Sequence, residues 1–164
     1  MRLLLTFLLV TLALYGVVAS AHDYLADQVI VDKSERRLYL MRGDDVLREY
    51  PVALGLSPEG HKQREGDFRT PEGDYFLTRR LVESDFFMAI QVSYPNEADI
   101  ERAVAMGVKP GGSIMIHGLP NELRKPLSYY ENFDWTDGCI AVSNTAIVEI
   151  WELTEENTPI TILP

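Results

Sequence analysis

The sequence predicts a mainly β fold with two short helices, and three observations lead to this prediction. Apolar and polar residues alternate over residues 27–55, as on strands with one buried face. Turn-forming residues separate the short runs, and only two segments carry apolar residues at helical spacing. The chain has 164 residues, 46% of them hydrophobic, which is enough for one domain with its own core.

The strands follow from the alternation and from the turns between them. Polar turns at residues 33–36 and 42–45 separate the first three runs, which predicts an antiparallel meander. Thr70-Pro71-Glu72-Gly73 places Pro at the second and Gly at the fourth position of a turn. The predicted strands are residues 28–32, 37–41, 46–50 with an extension over 51–55, 74–81, 86–92, 113–117 and 158–163.

Two segments are predicted as helices. Residues 96–106 begin with Asn96 as a capping residue, carry acids in the first turn and end at Gly107. Residues 144–153 place apolar side chains at helical spacing. The polar and aromatic segment 121–135 is predicted as an irregular loop with no more than one helical turn.

The N-terminus has the composition of an export signal. Arg2 precedes an apolar run over residues 3–18, and an Ala-x-Ala sequence ends at Ala21. This order predicts a secretory signal peptide at residues 1–21 and a mature domain at residues 22–164. The alternative is an uncleaved membrane anchor, because the run is close to spanning length, but the small residues favour cleavage. In both cases we expect the domain outside the cytoplasm.

Composition excludes several classes of protein. Lys and Arg number 15 against 25 Asp and Glu, a net charge of −10, so no basic surface is available for a nucleic-acid partner. The single cysteine, Cys139, rules out an intrachain disulfide framework and a cysteine-rich zinc site. A metal site built from His117, Asp137 and Cys139 is a weak alternative, since it offers only three scattered ligands.

An unpaired cysteine in an exported protein suggests a partner chain or a reactive thiol, against the alternative of a buried inert residue. His117 ends a predicted strand and is followed by Gly118, while Cys139 follows Gly138. A neighbouring imidazole can turn a thiol into a nucleophilic thiolate. Glycines beside both residues permit the close backbone approach that an oxyanion site needs.

At these positions the sequence resembles the catalytic domain of the L,D-transpeptidases of bacterial cell walls, the YkuD-like family. The Gly-Asp-Phe-Arg-Thr-Pro-Glu-Gly run of residues 66–73 and the Gly-Cys pair are together highly specific. The resemblance covers nearly all of the predicted mature chain, in order, and implies a YkuD-like β-sandwich. The segments that carry it are residues 31–34, 38–40, 51–55, 62–73, 116–118 and 136–140.

The resemblance also implies a role for each matching residue. Cys139 would be the nucleophile, His117 the general base, and the Gly118 carbonyl the group that orients the imidazole. Backbone N–H groups around Gly138 and Cys139 would stabilise the oxyanion. The implied reaction is periplasmic: the thiolate attacks the amide after the third residue of a peptidoglycan stem peptide, D-Ala leaves, and an amine resolves the thioester. No cofactor or metal is implied.

Two positions depart from the family pattern and leave the acceptor open. Asp137 replaces a usual histidine and would disfavour a thiolate unless it pairs with His117 or points away. Ala141 stands where the family commonly has Arg or Asn. The Gly-Cys-x-Ala pattern also resembles a branch that cleaves peptidoglycan from its anchored lipoprotein. A hydrolase of the same fold, either an L,D-carboxypeptidase or such an amidase with a wall-anchored lipoprotein as partner, therefore stays open, as does a wall-binding module with an idle thiol.

Three residues are predicted to bind substrate. Arg69 could hold stem-peptide carboxylates, with a structural salt bridge as the alternative. Trp135 belongs to an aromatic segment before Cys139 that could close over the substrate or instead fill the core. Asp137 lies two residues before Cys139 and is the third candidate.

Overall fold

The computed structural model describes residues 24–164, so the predicted signal peptide at residues 1–21 lies outside the described residues. Within the described part of the chain, no helix has the length and apolar character needed to cross a membrane. Eight strands of these residues form one sheet, in the order β3-β2-β1-β8-β4-β5-β6-β7. The fold is thus mostly β, as predicted.

The described residues form eight strands and three helices. The strands are β1 (Gln28–Asp32), β2 (Arg37–Arg42), β3 (Asp45–Pro51), β4 (Gly73–Ser84), β5 (Phe87–Val92), β6 (Met115–His117), β7 (Ile140–Ala141) and β8 (Pro159–Leu163). The helices are α1 (Glu97–Ala105), α2 (Leu127–Asn132) and α3 (Asn144–Leu153).

Strand β4 joins two halves of the sheet. Its first four residues pair with β8, and its remainder pairs with β5. On one side the antiparallel meander β1–β3 continues from β8 through a parallel β1–β8 pair. On the other side β5, β6 and β7 follow, with β6 and β7 parallel.

The segment after β3 closes the two ends of this sheet against each other. Ala53 exchanges two backbone hydrogen bonds with Ala141 of β7, at 2.9 and 2.8 Å, and Gly55 forms a bridge with Thr136. One core therefore holds side chains from both halves and from α3. Its largest fully buried members include Leu38, Leu77, Ile90, Ile116, Ile147 and Ile160.

The two predicted helices are confirmed, and a third is present. Helix α1 has the expected cap: the Asn96 side chain accepts from the Asp99 N–H, and the Asp99 carboxylate accepts from the Asn96 N–H. Helix α2 lies inside the segment that we predicted as a loop with no more than one turn. It has no side-chain cap, and stacking of Tyr129 on Phe133 supports it instead. Such contacts leave no helical periodicity in the sequence.

Candidate active site

The parallel pair of β6 and β7 brings the histidine and the cysteine together. His117 at the end of β6 is in register with Ala141 of β7, and Cys139 lies two residues before Ala141. Cys139 immediately precedes β7, so this pairing brings it beside the end of β6. Both side chains line one cleft of about 750 Å³.

His117 is held as a neutral base. Its side chain is buried, and its Nδ1 lies 2.7 Å from the Gly118 carbonyl oxygen. A carbonyl can only accept, so Nδ1 carries the hydrogen and Nε2 keeps a lone pair. Burial lowers the pKa of His117, and the bond to Gly118 offsets this only in part. The ring contacts Phe86, at 4.5 Å between ring centres, and Trp135, at 5.6 Å, and these two rings also contact each other at 6.0 Å.

The orienting carbonyl is positioned by the start of α3. The Asn144 side-chain oxygen accepts the Leu119 N–H at 2.8 Å, which fixes the turn that follows His117. A Cβ on Gly118 would lie 2.6 Å from that oxygen and 3.1 Å from the Phe87 Cβ. A side chain at this position would therefore displace the Asn144 side chain from its bond to Leu119.

Gly138 is required by a close approach as well as by its backbone conformation. Its φ of +127° is one that other residues rarely adopt, and a Cβ there would lie 2.6 Å from the Arg69 carbonyl oxygen. The Gly138 N–H donates to the Thr136 hydroxyl at 3.1 Å, and that hydroxyl donates to the Cys139 carbonyl at 2.7 Å. Thr136 thus fixes the turn around the thiol.

This turn leaves one backbone donor beside the thiol without an intramolecular partner. Within residues 24–164, the Cys139 N–H donates to no acceptor, whereas the Gly138 N–H is already bonded to Thr136. An oxyanion formed on a substrate at Cys139 would find the Cys139 N–H free to bind it.

The thiol itself rests in the protonated form. Cys139 is half-buried, and its Sγ donates to the Ser113 carbonyl oxygen at 3.6 Å. Ser113 presents that carbonyl from the left-handed region, at a φ of +55°, a conformation that costs a non-glycine residue about 1–2 kcal/mol. Burial raises the pKa of Cys139 and Asp137 raises it further, while the Met115 N–H and Lys62 act in the opposite direction.

A second cavity adjoins the cleft. It measures about 710 Å³ and shares Asp85, Phe86 and Asn121 with the cleft that holds Cys139. Its other walls come from the segment before the cysteine. They are Pro120, Glu122, Arg124, Tyr129, Tyr130 and Trp135.

The three predicted substrate-binding residues are dispersed around the thiol. Trp135 lies against His117 and lines the second cavity, so it is next to the site. Asp137 is exposed, and its charge reaches the thiol. Arg69 does not line the cleft that holds Cys139. Its Nη1 lies 3.4 Å from the His61 carbonyl oxygen, and its backbone carbonyl contacts Gly138. Arg69 lines a separate cavity of about 350 Å³ on that loop.

Sequence reasoning did not single out several residues that shape the site. Phe86 forms the wall between the two cavities, Asn144 fixes the turn after His117, and Ser113 presents its carbonyl to the thiol. Asn144 had one detectable signal, since it opens a predicted helix just after the Gly-Cys pair. The position of Ser113 depends on its φ, which no residue pattern reveals.

Solved protein structures share this fold, and one protein family matches the sequence. The fold is that of L,D-transpeptidase catalytic domains: a Xylanimonas cellulosilytica L,D-transpeptidase superposes with a TM-score of 0.55 over 84% of this chain and 60% of that chain, at 15% identity. The YkuD family, described as the L,D-transpeptidase catalytic domain, matches residues 26–162. The chain therefore belongs to the YkuD family, as its sequence motifs predicted.

Three relatives show how much of the chain is shared. YafK of Escherichia coli (strain K12), whose name assigns it to the L,D-transpeptidases, is 30% identical over 129 residues, 76% of this chain and 45% of YafK. The helical cell shape determining protein Pgp2 of Campylobacter jejuni is 25% identical, with a TM-score of 0.61 over 82% of this chain and 46% of Pgp2. Bd1075 of Bdellovibrio bacteriovorus is 26% identical, with a TM-score of 0.57 over 85% of this chain and 48% of Bd1075. The chain spans about half the length of these relatives.

Proposed function

We propose that this protein is a periplasmic cysteine L,D-transpeptidase that acts on peptidoglycan stem peptides through a thioester at Cys139. The observation that carries the proposal is the state of His117, whose Nδ1–H is bound to Gly118 and whose Nε2 is left to accept a proton in the cleft that also holds Cys139. Family membership supports the same reaction class. The periplasmic location rests on the predicted signal peptide.

The first half-reaction forms the thioester. His117 Nε2 takes the thiol proton, Sγ attacks the carbonyl carbon after the third stem residue, and the Cys139 N–H stabilises the oxyanion. The amide C–N bond then breaks, and His117 returns the proton to the leaving nitrogen of D-Ala.

The second half-reaction regenerates the thiol. An acceptor amine attacks the thioester carbon, His117 takes the proton of that amine, and the new C–N bond forms as the C–S bond breaks. His117 then returns its proton to Sγ. The two adjoining cavities, of about 750 and 710 Å³, support transfer between two substrates, because each is large enough to hold one peptide strand.

The hydrolytic alternative uses the same thioester and differs only in the acceptor. With water in place of the amine, the enzyme would trim stem peptides or release a lipoprotein from the wall. The similarity to Pgp2, a cell shape determining protein, supports a role in remodelling peptidoglycan under either outcome.

Product analysis tests the proposal. The full-length chain is incubated with disaccharide-tetrapeptides, and the products are separated and identified by mass spectrometry. We expect free D-Ala and cross-linked dimers, with neither formed by the Cys139→Ala variant. Tripeptide without dimers would replace transfer by hydrolysis, and no change in the tetrapeptide or in lipoprotein-linked wall would contradict an enzymatic role.

A further inference from the structure

The thiol of the candidate nucleophile is hydrogen-bonded to a backbone carbonyl and not to the proposed base. Cys139 Sγ donates to the Ser113 carbonyl oxygen at 3.6 Å, and within residues 24–164 it forms no hydrogen bond with His117. Ser113, His117 and Cys139 line the same cleft, so both acceptors belong to one site. The mechanism above uses His117 and gives Ser113 no role.

The backbone of Ser113, and not its side chain, makes this contact. Its φ is +55°, in the left-handed region that residues other than glycine rarely adopt. Among the described residues, the Ser113 hydroxyl has no hydrogen-bond partner that would reward this conformation. Backbone held in such a sparsely populated region is typical of functional sites.

The segments on both sides of Ser113 fix its conformation. Gly111 approaches the loop before β4 so closely that a Cβ there would lie 3.2 Å from the Glu65 Cα. Ile114 is buried, and its carbonyl accepts the Val92 N–H at 2.9 Å. Because both flanks are held in place, the turn between them falls on Ser113, and its carbonyl reaches the thiol.

The bond to Ser113 can exist only while the sulfur carries its proton. A carbonyl oxygen accepts hydrogen bonds and cannot donate them, so it stabilises the thiol and repels a thiolate. An interaction that is made in the ground state and lost in the transition state slows the chemical step. The Met115 N–H, by contrast, is a donor that favours the thiolate, and it lowers the pKa of Cys139.

We propose that Ser113 is a positioning residue that holds the Cys139 thiol in a resting orientation: its left-handed backbone directs its carbonyl at the S–H group, and this hydrogen bond must break before the proton can reach His117 Nε2. In the transfer, the S–H bond breaks, an N–H bond forms at Nε2, and the electron pair stays on sulfur. The inference rests on the proposed role of Cys139 as the nucleophile. Its consequence is a thiol that reacts more slowly at rest with oxidants and alkylating agents, which attack the thiolate.

Infrared spectroscopy of the wild-type chain tests the hydrogen bond itself. Since Cys139 is the one thiol in the sequence, the S–H stretching band of the full-length protein belongs to it alone, and Cys139→Ala should lack the band. Propanethiol in carbon tetrachloride, in dimethylacetamide and with N-methylimidazole gives the free, carbonyl-bonded and imidazole-bonded positions. We expect the protein band at the carbonyl-bonded position. A band at the free or the imidazole-bonded position would overturn the proposal.

Two substitutions at Ser113 separate the backbone conformation from the hydroxyl. Ser113→Gly removes the hydroxyl but adopts a positive φ readily, so it is expected to keep the wild-type band. Ser113→Val also removes the hydroxyl, but a β-branched residue opposes a positive φ, so the carbonyl should turn away and the band should move. Alkylation by iodoacetamide at pH 7 is expected to be about twofold to fivefold faster in Ser113→Val than in Ser113→Gly, since one weak hydrogen bond is lost.

Asn157→Val is the matched control for a β-branched residue at a positive φ. Asn157 has a φ of +68° in the exposed turn before β8, and it lines a different cavity. This variant is expected to lower the melting temperature and to leave the S–H band and the alkylation rate unchanged.

Equal bands and rates in the two Ser113 variants would overturn the proposal, as would an effect of Asn157→Val equal to that of Ser113→Val. If Ser113→Val does not fold, the position of the wild-type band decides. Neither measurement needs peptidoglycan, so the result is independent of whether the proposed function holds.

Discussion

At the residue scale, the site is a neutral pair rather than an ion pair at rest. Burial lowers the pKa of His117 and raises that of Cys139, so each group favours its uncharged form. In the proposed mechanism, the thiolate is then generated only as His117 Nε2 takes the proton. The Gly118 carbonyl, by holding Nδ1–H, keeps the imidazole in the tautomer that this step needs.

The neutral pair predicts a distinctive pH profile. Protonation of His117 removes the base, and because its pKa lies below the usual 6.5, we expect kcat/KM to stay level from about pH 6.5 through pH 8 and to fall only at lower pH. The thiol pKa, raised above 9, adds no transition in that range. The measurement is the initial rate on tetrapeptide from pH 4 to 9. An optimum below pH 6.5 would instead indicate a resting thiolate–imidazolium pair.

Asp137 is expected to restrain the nucleophile. Its negative charge raises the pKa of Cys139, so Asp137→Asn should lower the thiol pKa and speed alkylation at pH 7 roughly threefold, about half a pKa unit. Glu131→Gln, which removes an exposed acid from the same segment, is the matched control and should leave the rate unchanged. Equal rates in wild type and Asp137→Asn would exclude this electrostatic effect.

At the element scale, short parallel strands and the first residue of α3 assemble the site. Strands β6 and β7 are only three and two residues long, yet their pairing brings His117 and Cys139 to one cleft. Asn144, at the start of α3, bonds the Leu119 N–H and so fixes the turn that contains the Gly118 carbonyl. The helix therefore supports the base from behind.

Removal of the Asn144 oxygen is expected to affect catalysis more than stability. Asn144→Ala leaves the Leu119 N–H without its acceptor and frees the orienting turn, so kcat/KM on tetrapeptide should fall about tenfold while stability falls by about 1 kcal/mol. Thr145→Ala, at the next, exposed position of the helix, should change neither quantity. Parallel losses in the two variants, or an unchanged kcat/KM in Asn144→Ala, would contradict this role.

The sequence predicted some elements better than others. The difference depends on whether the interactions that stabilise an element are local in the sequence. Helix α1 was predictable because its cap, Asn96 with Asp99, lies within four residues. Helix α2 was not, because aromatic contacts rather than a periodic face support it. Cys139 and His117 were identified through family motifs. Phe86 and Ser113 escaped notice because their roles arise from contacts with distant segments of the chain, which no local pattern encodes.

At the scale of the whole molecule, the loop between β3 and β4 connects the sheet to the active site. Two buried lysine ion pairs, Lys33–Glu72 and Lys62–Asp67, anchor it, and its Phe68 and Arg69 carbonyls pack against Gly55 and Gly138. The two backbone hydrogen bonds between Ala53 and Ala141 join the start of this loop to β7, next to Cys139. Loss of the Lys62–Asp67 pair is therefore expected to affect both the stability of the fold and the geometry of the site, because Asp67 also accepts the Arg69 N–H.

This coupling predicts a specific loss of stability in acid. The pKa of Asp67 in the folded protein is about 2, below its ordinary value of 3.8, so its contribution is full above pH 4 and is lost as the pH falls towards 2. The expected loss is about 2 kcal/mol of unfolding free energy, measured by urea denaturation across that range. Asp67→Asn should flatten the pH dependence, and Asp44→Asn, in the exposed turn after β2, should not. An unchanged slope in Asp67→Asn would contradict the assignment.

The central claim, a covalent thioester at Cys139, is tested most directly by intact-mass spectrometry of the protein after incubation with disaccharide-tetrapeptide and an acid quench. The account predicts a mass increase equal to the disaccharide-tripeptide acyl group on the wild-type chain, reversed by a small amine. Cys139→Ala should show no increase and should keep its melting temperature, because the thiol is half-buried and contributes little packing. Turnover of the tetrapeptide by the Cys139→Ala variant would contradict the account.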